Sequence, residues 1–121
     1  FKPEGEYAVG LFSCAPQYEG YPGMLHGGVI AALLDGVMTH RLFQEQIMGV
    51  TAELVVRYRH PVLLGHPAMV RGWIVESEAP LYRLQAQLWQ DNVLKATARA
   101  IFMMKPELGP AGSVPHDAPS R

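Results

Sequence analysis

Apolar positions follow two different periods along this chain, and the change falls at Gly49. From Leu25 to Gln46 the sequence is rich in Leu, Ala, Val and Met and holds no proline. Its apolar residues recur at helical spacing, which predicts one long helix with Gly49 as the stop signal just past its end. Beyond Gly49 the period is two. Thr51 to His60 sets Leu54, Val56 and Tyr58 against Glu53, Val55, Arg57 and Arg59. Ala68 to Glu78 sets Val70, Gly72 and Ile74 against Met69, Arg71, Trp73 and Val75. Leu81 to Gln90 and Val93 to Met104 alternate in the same way and flank Asp91-Asn92, a hairpin-type turn. Ahead of the helix, Tyr7 to Cys14 reads as a first strand, and Ala15 to Met24 reads as a loop rich in proline and glycine.

The order is strand, long helix, then four strands joined by short turns. That predicts an α+β domain with one helix against a five-stranded antiparallel sheet. Gly72, Ala86, Ala96, Ala98 and Ala100 all fall on the apolar strand faces. Small residues there let a thick helix approach a curved sheet closely, so the sheet is expected to wrap the helix. The domain is expected to span residues 1–108. Residues 109–121 form a Pro/Gly-rich tail with little apolar surface to bury.

Composition narrows the function classes. A length of 121 residues fits one domain, and 49% apolar residues provide a core. The net charge of -1, with no basic block and no zinc-finger spacing, argues against nucleic acid as a partner. Cys14 is the only cysteine, which excludes an internal disulfide and a Cys-rich metal site and favours a reducing compartment. A cytoplasmic location is expected. No apolar run reaches the ~18 residues that span a bilayer, so no membrane partner is expected. The longest, Gly27 to Met38, is interrupted by Asp35. The chain opens on Phe1, and further sequence is expected before it.

The helix carries an unusual stripe. At ~100° per residue, Val29, Ile30, Leu33, Leu34 and Val37 share one broad side. Gly28, Ala32, Asp35 and Thr39 line the other side. A helix apolar on most of its circumference is expected to be largely buried. An unpartnered carboxylate there costs several kcal/mol. Asp35 is therefore either an ion-pair partner or solvated residue, or the working group of a cleft lined by small residues. Leu25-His26-Gly27-Gly28 opens the helix. Its first N–H groups lack internal partners and carry the positive end of the helix dipole. Two glycines let a ligand approach that backbone, which suits a developing oxyanion.

The run His26-Gly27-Gly28-Val29-Ile30-Ala31-Ala32-Leu33-Leu34-Asp35 resembles the helix-opening motif of hotdog-fold acyl-CoA thioesterases of the PaaI / 4-hydroxybenzoyl-CoA thioesterase type. In that family a His-Gly-Gly precedes an Asp or Glu at this spacing. Thr39 resembles the helix Thr or Ser of several members, and Thr51 to Pro61 is similar to the family's second strand. The resemblance covers roughly Tyr7 to Met104. It implies a hotdog fold, a homodimer with joined sheets, and active sites shared between subunits; exposed sheet edges and the outer-face Trp73 and Trp89 extend the expectation to a homotetramer. The resemblance also implies hydrolysis of an acyl-CoA substrate without metal or redox cofactor.

On that resemblance, Gly27 and Gly28 polarise the thioester carbonyl. Asp35 attacks it or activates a water. Thr39 holds Asp35 or the water, and His26 shapes the turn. Gln17 stands in the loop where the family often places an Asn or Gln. Glu53 stands where the family's strand often has Asn, and reads first as a solvated strand residue, with a second carboxylate that tunes Asp35 or repels anionic acyl groups as the alternative. Arg57, Arg59, His60 and His66 are candidates for the CoA phosphates. Tyr18, Tyr21, Met24, Met38, Leu42 and Phe43 are candidates for an acyl pocket or for plain core. The alternative is a non-catalytic hotdog module that binds acyl-CoA or a fatty-acyl group. An oligomerisation domain working through Trp73 and Trp89 and a hydratase of a related branch are further competitors.

Overall fold

The computed structural model of the protein describes residues 1–104. The boundary expected at residue 108 and the tail over 109–121 lie outside the described residues. Six strands and one long helix follow in chain order: β1 (Lys2–Glu4), β2 (Tyr7–Ser13), α1 (Gly27–Gln44), β3 (Gly49–Tyr58), β4 (Pro67–Glu78), β5 (Leu81–Gln90) and β6 (Val93–Met104). A short 3-10 turn at Pro16–Tyr18 lies in the loop before α1.

All strand pairs are antiparallel, in the order β1-β2-β4-β5-β6-β3. This is the expected α+β hotdog architecture with six strands in place of five. The extra strand, β1, has no apolar alternation and is fully exposed. It forms because Gly5, at φ +62°, turns the chain back so that Lys2–Glu4 pairs with Tyr7–Val9. Pro3 is tolerated because β1 is an edge strand, where a missing N–H breaks no ladder. β3 forms the other edge.

A row of small residues explains how the helix seats. Ala8 pairs with Gly72, Gly72 with Ala86, and Ala86 with Ala98, so four neighbouring strands present almost no side chain along one line. α1 crosses there. A methyl group built on Gly72 would lie 3.2 Å from Val37 Cγ1 and 3.4 Å from the Met38 backbone nitrogen. Ile30, Leu34, Val37, Met38 and Leu42 face the sheet and are buried with Val70, Leu84, Leu88 and Phe102.

Burial of α1 is one-sided. Gly28, Ala32 and Thr39 are exposed, and Val29, Leu33 and Asp35 are half-buried. The expectation of a largely buried helix is corrected here: the sheet covers one face and leaves the small-residue stripe open. Both helix ends differ slightly from expectation. Leu25 is extended, donating its N–H to Val62 O, and His26 is the N-cap. At the far end Gln46 adopts φ 59° and stops the helix, so Gly49 opens β3 instead of ending α1. Asp91 and Asn92, at φ 52° and 63°, form the expected tight hairpin turn.

Candidate functional site

The helix opening is organised around His26. Its ring Nδ1 accepts the Gly28 N–H at 2.8 Å, and its carbonyl accepts the N–H groups of Val29 and Ile30. The His26 N–H donates to Tyr18 O at 2.8 Å. Three of the first four helical N–H groups are thereby used. That of Gly27 alone has no partner among the described residues. Sequence reasoning treated the two glycines as equivalent donors, whereas here the free one is Gly27. Absence of a side chain matters at Gly28, where a methyl group would lie 3.0 Å from the His26 ring; one on Gly27 would meet the Tyr58 ring at 3.6 Å, an ordinary van der Waals contact.

Gly27 faces a cavity of about 740 Å³ between the loop at 19–26, the start of α1 and the end of β3. Tyr21, Met24, Leu25 and Ile30 supply apolar wall, Arg59 supplies a cation and His60 an imidazole. On the other flank of α1 lies a groove of about 440 Å³ lined by Phe12, Tyr18, Gly28, Ala32 and Leu33, among others. His26 borders both.

Asp35 stands eight residues beyond Gly27, a rise of roughly 12 Å along the helix. It lines neither cavity. Its Oδ1 accepts the hydroxyl of Thr51 at 2.7 Å. Thr51 comes from β3, the edge strand, so the carboxylate sits at the rim where the sheet ends. The Thr39 hydroxyl, expected on the carboxylate or on a water, instead donates to the backbone carbonyl of Asp35 at 2.9 Å. Thr51 was missed as a site residue because only tertiary structure brings it to Asp35. The signal available was its place at the head of the strand that resembled the family.

The other candidates separate. Arg59 and His60 line the large cavity. Arg57 lines a groove on the opposite sheet face with Trp73, Gln85, Gln87 and Arg99, and Arg59 borders that groove as well as the large cavity. His66 pairs with Asp91 at 2.8 Å. Gln17 is exposed on the 3-10 turn and borders neither cavity beside α1. Glu53 is exposed beside Arg83 and Arg99. Of the pocket candidates, Tyr21 and Met24 border the large cavity and Tyr18 the apolar groove. Met38 and Leu42 are core, and Phe43 is exposed. Among the described residues, no three His, Cys, Asp or Glu side chains come together as a metal-holding group.

The sequence matches the family model of the thioesterase superfamily over residues 22–96, which includes both the His-Gly-Gly opening and Asp35. The chain belongs to this superfamily. An acyl-coenzyme A thioesterase of Xenopus laevis is 31% identical over 99 residues, covering 78% of this chain and 44% of the relative. An uncharacterised mitochondrial membrane protein of Saccharomyces cerevisiae is 24% identical over 113 residues, covering 90% of this chain and 46% of the relative. The chain thus spans less than half the length of these curated relatives. Among solved structures, a hypothetical thioesterase of Streptococcus pneumoniae with coenzyme A superposes with a TM-score of 0.82 at 16% identity, covering 88% of this chain and 85% of that one. A hypothetical thioesterase of that organism has also been solved as two alanine variants, one of an aspartate and one of a threonine sixteen positions further on. Superfamily membership and fold agree with the resemblance read from the sequence.

Proposed function

We propose that this chain hydrolyses an acyl-CoA thioester to the free acid and CoA, with Asp35 as its catalytic carboxylate. The observation that carries the reading is the hydrogen bond from Thr51 to Asp35, on a superfamily member whose first helix opens with one free N–H. Asp35 and Thr51 are separated by the same sixteen positions as the aspartate and threonine replaced in the pneumococcal thioesterase.

The Gly27 N–H, at the positive end of the helix dipole, donates to the thioester oxygen and stabilises the negative charge that develops there. Asp35 either adds to the carbonyl carbon, expelling CoA thiolate and leaving a mixed anhydride for water to open, or takes a proton from the attacking water. Thr51 holds the carboxylate in one orientation in both cases. Arg59 and His60, on the rim of the large cavity, suit the phosphates of CoA, and Tyr21, Met24 and Ile30 suit its apolar portions. Neither step requires a metal or redox cofactor.

A reacting carbonyl must lie about 3 Å from both the oxyanion donor and the nucleophile or its water. Roughly 12 Å of helix separates Gly27 from Asp35 in one chain. Two copies joined along their β3 edges bring Gly27 of one to Asp35 of the other. The active unit is therefore a homodimer, and two dimers pairing through the sheet faces that carry Trp73 and Trp89 make a tetramer. Exposed strand edges of this kind are generally paired or blunted.

The experiment is turnover on a panel of acyl-CoAs, from acetyl to long-chain and aromatic, with a thiol-trapping dye. Hydrolysis of at least one member is expected. Tight binding without turnover across the panel would replace this reading with an acyl-CoA-binding module.

A further inference from the structure

The helix opening is held from a direction that the reaction described above does not use. Tyr58, near the end of β3, donates its hydroxyl to the carbonyl of Gly27 at 2.8 Å. The N–H at the other end of that same peptide unit, on Gly28, is held by His26 Nδ1 at 2.8 Å. A peptide unit is planar, so pinning its two ends fixes its rotation. Both flanking residues are glycines, which on their own hold the backbone only weakly.

The neighbouring unit, between His26 and Gly27, bears the free N–H. Its carbonyl is held by Val29 and Ile30, and the unit before it is held through the His26 N–H on Tyr18 O. The free donor is therefore flanked by anchored groups on either side. Tyr58 supplies the one anchor that comes from β3. Its ring also packs over the bare α-carbon of Gly27. Tyr58, His26 and Gly27 border the same large cavity.

We infer that Tyr58 is a positioning residue: with the His26 ring it locks the Gly27–Gly28 peptide and so keeps the Gly27 N–H aimed into the cavity. This rests on the thioesterase reading above. Phe in place of Tyr keeps the ring and its packing and removes only the hydroxyl. An oxyanion donor contributes through its alignment, and misplacements well under 1 Å already cost rate. Because the loss falls on the transition state, it appears in kcat and leaves KM nearly untouched.

The test is Tyr58→Phe in the full chain, read by three measurements. On the acyl-CoA turned over best by wild type, kcat is expected to fall roughly 5- to 30-fold with KM within about twofold. The melting temperature is expected to stay within about 2 °C, as for a partly exposed hydroxyl. Amide hydrogen exchange at Gly28, followed by NMR, is expected to quicken at least about threefold, since the clamp on that peptide is halved. The exchange measurement needs no turnover, so a wild-type protein inactive on every thioester defeats the functional reading while leaving the clamp measurable. Wild-type kcat in Tyr58→Phe overturns the inference, as does unchanged exchange at Gly28. A kcat loss matched by a rise in KM, or by a melting temperature many degrees lower, gives Tyr58 a binding or folding role and overturns it as well.

Discussion

Thr51 donates its hydroxyl to Oδ1 of Asp35 across 2.7 Å, tying the middle of α1 to the edge strand β3. The bond fixes one rotamer of the carboxylate and leaves its other oxygen for a substrate or a water. Hydrogen bonds to charged groups are worth about 1.5–3 kcal/mol, or roughly 10- to 150-fold in an equilibrium or rate. Thr51→Val keeps the shape and removes the donor, and is expected to lower acyl-CoA turnover by about 10- to 100-fold. Thr39→Ala is expected to cost less than about fivefold, because its hydroxyl is spent on the Asp35 backbone carbonyl. Steady-state kinetics of the two variants side by side checks the order. A larger loss at Thr39 would contradict it.

Gly72 sits where the helix presses on the sheet. Even one methyl group there meets Val37 Cγ1 at 3.2 Å, and Gly72→Val adds two more. Overpacking of this kind costs about 1–3 kcal/mol. Thermal unfolding is expected to show a melting temperature lower by roughly 5–15 °C.

Gln90 is 2% exposed and fully engaged: it accepts the Leu63 N–H and donates to Leu63 O and His66 O. It pins the β3–β4 connection beneath the sheet. Gln90→Leu leaves those backbone groups without their partner, at about 1–3 kcal/mol for each that water cannot reach. Denaturant unfolding is expected to show a clearly lower midpoint with an unchanged slope.

How far the sequence reaches can be seen in these same residues. The period-two runs delimited β5 and β6 to the residue, because each strand has one buried and one exposed face. Asp91-Asn92 marked its hairpin because few residues accept left-handed dihedrals at two successive positions. The small residues on the strand faces foretold close helix approach, although their alignment into one row depends on register that only pairing sets. β1 was illegible, since Lys2-Pro3-Glu4 has no apolar pattern and owes its strand to the Gly5 turn. At the site, the spacing from Gly27 to Asp35 was readable along a single helix. The contacts of Thr51 and Tyr58 were not, being 16 and 31 residues from their partners. Thr39 drew attention by its one-turn spacing from Asp35, yet a helical threonine often satisfies itself on the carbonyl four residues back.

Cys14 is 2% exposed, and burial pushes its thiol pKa up. The charged form is disfavoured in the folded state, so any stability this contributes is present below the usual thiol range and lost as pH rises through it. The thiolate is the reactive species. Alkylation by iodoacetamide at pH 8 is expected to be at least roughly tenfold slower in the folded protein than in denaturant. Equal rates would show the β2 end open to solvent.

Asp35 is the group proposed to carry the chemistry. Asp35→Asn preserves volume and the contact with Thr51 while removing the charge, the nucleophile and the base. Turnover of the best acyl-CoA substrate by this variant, measured on protein verified as folded by its melting curve, is expected to be about 10²- to 10⁴-fold below wild type. A folded Asp35→Asn protein that hydrolyses the same substrate at the wild-type rate would contradict the central claim.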